Sequence, residues 1–230
     1  MTFSAHNQRI MWYLIPGLGA DERVFRGLRL PGPATVLHWL PPQSPTEPLR
    51  HYAARLAEAV PPGQPCWLVG VSFGGLLALE VCRLRPLARV VLISSLANAS
   101  QLPLLLKLGR ATRLYRLVPL GLLPRLPRLA QWFFGARNGR EYRLLARILH
   151  DTDPDFARWA TRQLLHWDST GVPHAVRLHG THDRLLPAGT APVDYPLPGA
   201  GHFMIVSHAQ AISRVLWQLA ELAAERKSQY

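Results

Sequence analysis

Cys66-Trp67-Leu68-Val69-Gly70-Val71-Ser72-Phe73-Gly74-Gly75 is the stretch that decides how this chain is read. An apolar run ending at Val69 predicts a buried strand, and Phe73 to Leu84 predicts a helix. Gly70, Ser72 and Gly74 make a G-x-S-x-G pattern across the junction. A strand-to-helix turn this tight holds the serine in a strained conformation with its hydroxyl exposed, and side chains in place of the glycines would collide with neighbouring backbone. The N-terminus of the following helix favours negative charge developing at that hydroxyl. An ordinary glycine turn carrying a chance serine is the bland alternative. A phosphate loop is excluded, because no Gly-Lys-Ser/Thr follows.

Outward from that turn, strands and helices alternate. Met11 to Ile15 reads as a strand ending at Pro16-Gly17, Asp21 to Leu28 as a short helix, and Ala34 to Trp39 as a second strand. Thr46 to Val60 reads as a helix capped by Thr46, with Pro48 in its first turn and Leu49, Tyr52, Ala53 and Leu56 on one face. Ala88 to Ile93 is a further strand, as are Ala175 to His179 and Val193 to Leu197, before a final helix from Ser207 to Arg226. Strands apolar on both sides and separated by helices imply an α/β fold. The expected core is a mostly parallel central sheet of about six strands flanked by helices. Residues 97–170 break the alternation: no strand is evident there, and prolines 103, 119, 124 and 127 divide Leu- and Arg-rich helical pieces. The expected organisation is a core of residues 1–96 and 171–230 with a helical cap insertion at 97–170.

Two other segments carry chemistry. Pro198-Gly199-Ala200-Gly201-His202-Phe203 lies between the last strand and the last helix, where glycines let an imidazole swing over the serine. A neutral imidazole is the natural base for a serine proton. His208 is the nearest rival, but it stands at the helix start. His179-Gly180-Thr181-His182-Asp183-Arg184 follows a strand and supplies a carboxylate, Asp183, to orient that imidazole. A solvated loop aspartate is the alternative. His179, His182 and Asp183 also suggest a metal cluster, but no H-E-x-x-H or fourth ligand accompanies them.

Together these residues resemble the α/β-hydrolase superfamily, the esterase, lipase and thioesterase group, over residues 10–96 and 171–226. The chain order of nucleophile, acid and histidine is the family's. The resemblance implies Ser72 as nucleophile, Asp183 as acid and His202 as base, with the backbone N–H groups of Leu18 and Phe73 as oxyanion hole and no cofactor or metal. Pro16-Gly17 stands where many relatives have His-Gly. The family's other position for the acid falls at Ser94-Ser95, and no Asp or Glu occurs from Val81 through Arg140. The implied reaction is cleavage of a small-molecule acyl ester or thioester. Acyl transfer, C–C hydrolysis or lyase chemistry on the same residues remain open, as does a non-enzymatic binding protein.

The net charge is +12, and it is unevenly placed. Arg83, Arg85, Arg89, Lys107, Arg110, Arg113, Arg116, Arg125, Arg128, Arg137 and Arg140 fall in the stretch without acids. Arg110, Arg113 and Arg116 recur at helical spacing around Leu114 and Leu117, and Trp132-Phe133-Phe134 adds aromatics. The basic cap is solvated, or meets an anionic acyl substrate, or makes a peripheral contact with an anionic membrane. Nucleic acid is disfavoured, since no recognition module is present. Oligomeric state is not readable. Cys66 and Cys82 form no C-x-x-C motif and read as reduced structural thiols, which with the absence of a long apolar span points to the cytoplasm. The apolar run from Ile10 to Ile15 is short and ends at Pro16, unlike a secretory signal.

Overall fold

The computed structural model describes residues 10–112, 127–172, 174–189 and 191–228. Six strands form one sheet: β1 (Met11–Ile15), β2 (Ala34–Val36), β3 (Cys66–Val71), β4 (Ala88–Ile93), β5 (Val176–Gly180) and β6 (Tyr195–Leu197). Their order is β2-β1-β3-β4-β5-β6, and every pairing is parallel. The chain therefore runs one way from β1 to β2 and the other way from β3 onward. The crevice beyond the carboxyl ends of β1 and β3, where that direction reverses, is where open α/β sheets bind ligands.

Both faces of the sheet are covered, which is why its strands are apolar on both sides. Tyr13, Ile15, Leu68, Val90 and Leu92 pack against α1 (Leu49–Ala57) and α2 (Phe73–Leu84). Trp12, Leu14, Trp67, Val69, Val91 and Ile93 face the other way, toward Ile212, Leu216 and Leu219 of α8 (Ala209–Ser228). Trp12 and Trp67 are register partners on β1 and β3, and their rings stack at 5.1 Å. Between β4 and β5 the described residues are helical: α3 (Leu104–Thr112), α4 (Pro127–Phe134), α5 (Gly139–Asp151) and α6 (Pro154–His166). A four-residue helix, α7 (Met204–Ser207), precedes α8. No helix among the described residues is long and apolar enough to cross a membrane. Cys66 and Cys82 are free, and burial pushes the Cys66 thiol up to about 11, which suits an inert packing role.

Several boundaries differ from those expected. The helix expected at Thr46 begins at Leu49, with Pro48 at its N-cap and no side-chain cap. The strand expected to reach Trp39 ends at Val36, and Trp39 donates its indole N–H to the Ala20 carbonyl. The final helix is interrupted at His208. Arg113, Leu114, Arg116, Leu117 and Arg125, with Pro119 and Pro124, lie outside the described residues.

Candidate active site

Ser72 sits between β3 and α2 with φ 51° and ψ −120°, a backbone conformation that L side chains seldom adopt. Its neighbours enforce that turn. A Cβ on Gly70 would lie 2.5 Å from the Cα of Gly75, and one on Gly74 would strike the Ile15 and Pro16 carbonyls. The loop after β1 is thus pressed against the start of α2. The turn is also pinned by hydrogen bonds: the Ser72 N–H donates to the Ile93 carbonyl at 2.9 Å, and the Ser95 hydroxyl donates to the Ser72 carbonyl at 2.6 Å.

Two more loops close on the same point. The Asp183 loop follows β5 and the His202 loop follows β6, and backbone bonds lace them together. Thr181 N–H donates to Leu197 O at 3.1 Å and His182 N–H to Ala200 O at 2.9 Å. His202 Nε2 lies 2.9 Å from Ser72 Oγ, and His202 Nδ1 lies 2.8 Å from Asp183 Oδ2. The structure therefore brings Ser72, His202 and Asp183 into one hydrogen-bonded line. An ionised Asp183 only accepts, so the neutral imidazole carries its proton on Nδ1 and leaves Nε2 to accept from the Ser72 hydroxyl.

Asp183 is buried, and burial alone would push its carboxyl up. The charge of His202, hydrogen bonds from His179 and His202, and the Leu186 N–H together outweigh that and hold it well below the usual carboxylate range. The N–H groups of Leu185 and Leu186 donate to Asp183 Oδ1 at 3.0 and 2.9 Å. His179 was visible in the sequence only as part of a doubtful metal cluster. Here it is buried on β5, with Nε2 2.7 Å from the Leu186 carbonyl and 3.4 Å from Asp183 Oδ2. His182 is exposed, with Nδ1 3.3 Å from Thr181 Oγ1. His208 lies apart from the line, bonded to Ser207 Oγ at 2.8 Å.

The helices between β4 and β5 reach the site at the end of α4. The Phe134 ring meets the His202 ring edge-on at 5.7 Å, and the Phe203 N–H donates to the Phe134 carbonyl at 2.8 Å. Arg184, next to Asp183, stacks over Trp132 with its guanidinium carbon 4.6 Å from the ring centroid. A cavity of about 980 Å³ opens between the loop after β1, the loop after β2 and the start of α6. Gly19, Ala20, Trp39, Phe156 and Trp159 are among its lining residues; Ser72 and His202 are not. The ring of Phe73, the residue after the serine, touches both Trp39 and Trp159 at 5.9 Å.

The family model of the alpha/beta hydrolase family matches residues 5–215. The chain belongs to that family. Among solved structures it is similar to a hydrolase from Oleispira antarctica, with 15% identity, a TM-score of 0.69, and 92% of this chain and 91% of that one covered. A carboxylesterase of the thaumarchaeon Nitrososphaera gargenis is similar at 12% identity and a TM-score of 0.68, over 95% and 92% of the two chains. A thermophilic esterase from Thermogutta terrifontis matches at 15% identity and a TM-score of 0.63, over 92% and 89%. At these identities the likeness to this α/β-hydrolase is one of fold. No curated relative matches it by sequence.

Proposed function

We propose that this α/β-hydrolase is a serine esterase or thioesterase acting on small acyl substrates. The observation that carries the reading is the line from Ser72 Oγ through His202 to Asp183, with both contacts under 3 Å at a strained elbow. Ser72 Oγ bonds to the carbonyl carbon while its proton passes to His202 Nε2. The carbonyl oxygen takes the negative charge and is met by the N–H groups of Leu18 and Phe73. Each such donor is worth about 3 kcal/mol of barrier. Collapse expels the alcohol or thiol, which takes the proton from His202 and leaves an acyl-enzyme. Water, deprotonated by His202, then releases the acid and restores Ser72. Asp183 holds the tautomer and stabilises the imidazolium throughout.

Two features support the assignment of the oxyanion donors. Phe73 is the first residue of α2, and the loop bearing Leu18 abuts the serine: a Cβ on Gly17 would lie 3.5 Å from Ser72 Cβ. We assign residues 1–96 and 171–230 to the core and 97–170 to a cap, whose Phe134 gives the mouth an apolar side suited to acyl groups. The two free thiols suit a cytoplasmic setting.

The test is labelling by a fluorophosphonate, with the adduct located by mass spectrometry, alongside p-nitrophenyl esters of rising chain length. An adduct on Ser72 and turnover lost in Ser72→Ala are expected. A folded chain that hydrolyses no ester and takes no label refutes the proposal.

A further inference from the structure

One surface remains unexplained by ester hydrolysis. On α3, Leu104, Leu105 and Leu108 are 72%, 73% and 54% exposed. They stand at i, i+1 and i+4 and so share one side of the helix. No residue of the helix is fully buried, but the helix touches the body at two points: Leu106 packs against the core, and Arg110 Nη1 donates to the Leu165 carbonyl of α6 at 3.3 Å. The outward leucines are thus presented by an anchored helix. Single exposed leucines are ordinary, but three together on nine residues are not.

The sequence around them is basic. Lys107 and Arg110 flank Leu108, and the chain carries no Asp or Glu from Val81 through Arg140 against eleven basic residues. An apolar ridge set in uniformly basic sequence is complementary to an anionic lipid surface. Acyl chains take the leucines and headgroup phosphates take the cations. Nucleic acid would meet the charge but leave the leucines in water. A second copy of this chain would cover the leucines but set like charges against each other.

We propose that α3 docks this protein on anionic bilayers. Its substrates would then be amphiphilic esters resident in that surface, a point that rests on the esterase reading. The helix follows the carboxyl end of β4, beside β3, whose carboxyl end carries Ser72.

The experiment is cosedimentation of the full chain carrying Ser72→Ala with vesicles of phosphatidylcholine alone or mixed equally with phosphatidylglycerol. Binding to the mixed vesicles, weakened by added salt, is expected. In the triple variant Leu104→Ser, Leu105→Ser, Leu108→Ser, binding falls by about tenfold or more, since each buried apolar side chain contributes to partitioning. The variant Lys107→Glu gives an independent lesion and is expected to weaken the preference for phosphatidylglycerol. Hydrolysis of soluble p-nitrophenyl acetate, measured without vesicles on the same lesions in the Ser72 background, should stay unchanged. Failure to sediment, equal binding by the triple variant, or a solution dimer dissolved by the leucine substitutions overturns docking. None of these outcomes bears on hydrolysis. Conversely, a chain that binds vesicles but cleaves no ester refutes the esterase reading and leaves docking standing.

Discussion

Replacing Asp183 by asparagine keeps the shape of the acid and reverses one hydrogen bond. Asp183 Oδ1 accepts from Leu185 and Leu186, and an asparagine carbonyl oxygen can take that place unchanged. The amide nitrogen then falls where Oδ2 was, 2.8 Å from His202 Nδ1 and 3.4 Å from His179 Nε2. An amide nitrogen donates only, so His202 Nδ1 must become the acceptor and the ring proton moves to Nε2. Nε2 is 2.9 Å from Ser72 Oγ and can then no longer take the serine proton. Such a change at the acid of a serine triad costs about 10⁴ in kcat, or about 5 kcal/mol of barrier. The assay is steady-state hydrolysis of p-nitrophenyl butyrate, with circular dichroism and thermal unfolding as fold controls. A folded variant within tenfold of the parent would refute the tautomer argument. Stability gives a second readout. The folded carboxyl lies well below its unfolded value of about 3.9, so its ionisation stabilises the fold above that pH and is lost as pH falls through the folded value. The stability gap between parent and variant should therefore narrow below pH of about 4.

The remaining predictions concern the elbow and the acid's second partner. Ser72→Gly should be inactive yet more stable by about 1 kcal/mol, because relief of about 1–3 kcal/mol of backbone strain exceeds glycine's entropic cost of about 1 kcal/mol. An unchanged or lowered urea midpoint would mean the turn stores no strain. Gly70→Ala should lose about 3 kcal/mol or more in urea unfolding, since its Cβ meets the backbone of Gly74 and Gly75, which has no side chain to move aside. His179→Leu removes a donor from Asp183, leaving the carboxylate more basic and the His202 imidazolium better stabilised. The acid limb of kcat/KM should move to higher pH. A lowered melting temperature with an unmoved limb would make His179 a packing residue only.

The sequence carried the elbow plainly because one short segment contains all its causes. Cys66 to Val71 is buried on both sides of the sheet, and Gly70 and Gly74 stand where backbone meets backbone. Each of those requirements is local, and so each is legible. Asp183 was legible from its loop after a strand and the family order that the segment resembles, and the acid-free stretch removed only the alternative position at Ser94-Ser95. What could not be read depends on contacts distant in the chain. Thr46 resembled a helix cap, but Pro48 takes the N-cap position. The neighbouring Glu47 is drawn into a loop brace instead, accepting from the Gln43 N–H at 2.7 Å and from Arg55 Nη2 at 2.8 Å. The Thr46 hydroxyl lies 3.4 Å from Ser44 Oγ, within the loop before the helix. His179 shows the same limit at the site itself. Its approach to Asp183 exists only because β5 ends in a turn that folds Asp183 back toward the strand, with the Asp183 N–H on the Gly180 carbonyl at 3.2 Å. Nothing in the spacing of two residues four apart on a strand and loop predicts that they meet. Local steric necessity can thus be read from a sequence, whereas the partners that tune a buried charge emerge only once the sheet has fixed which loops converge.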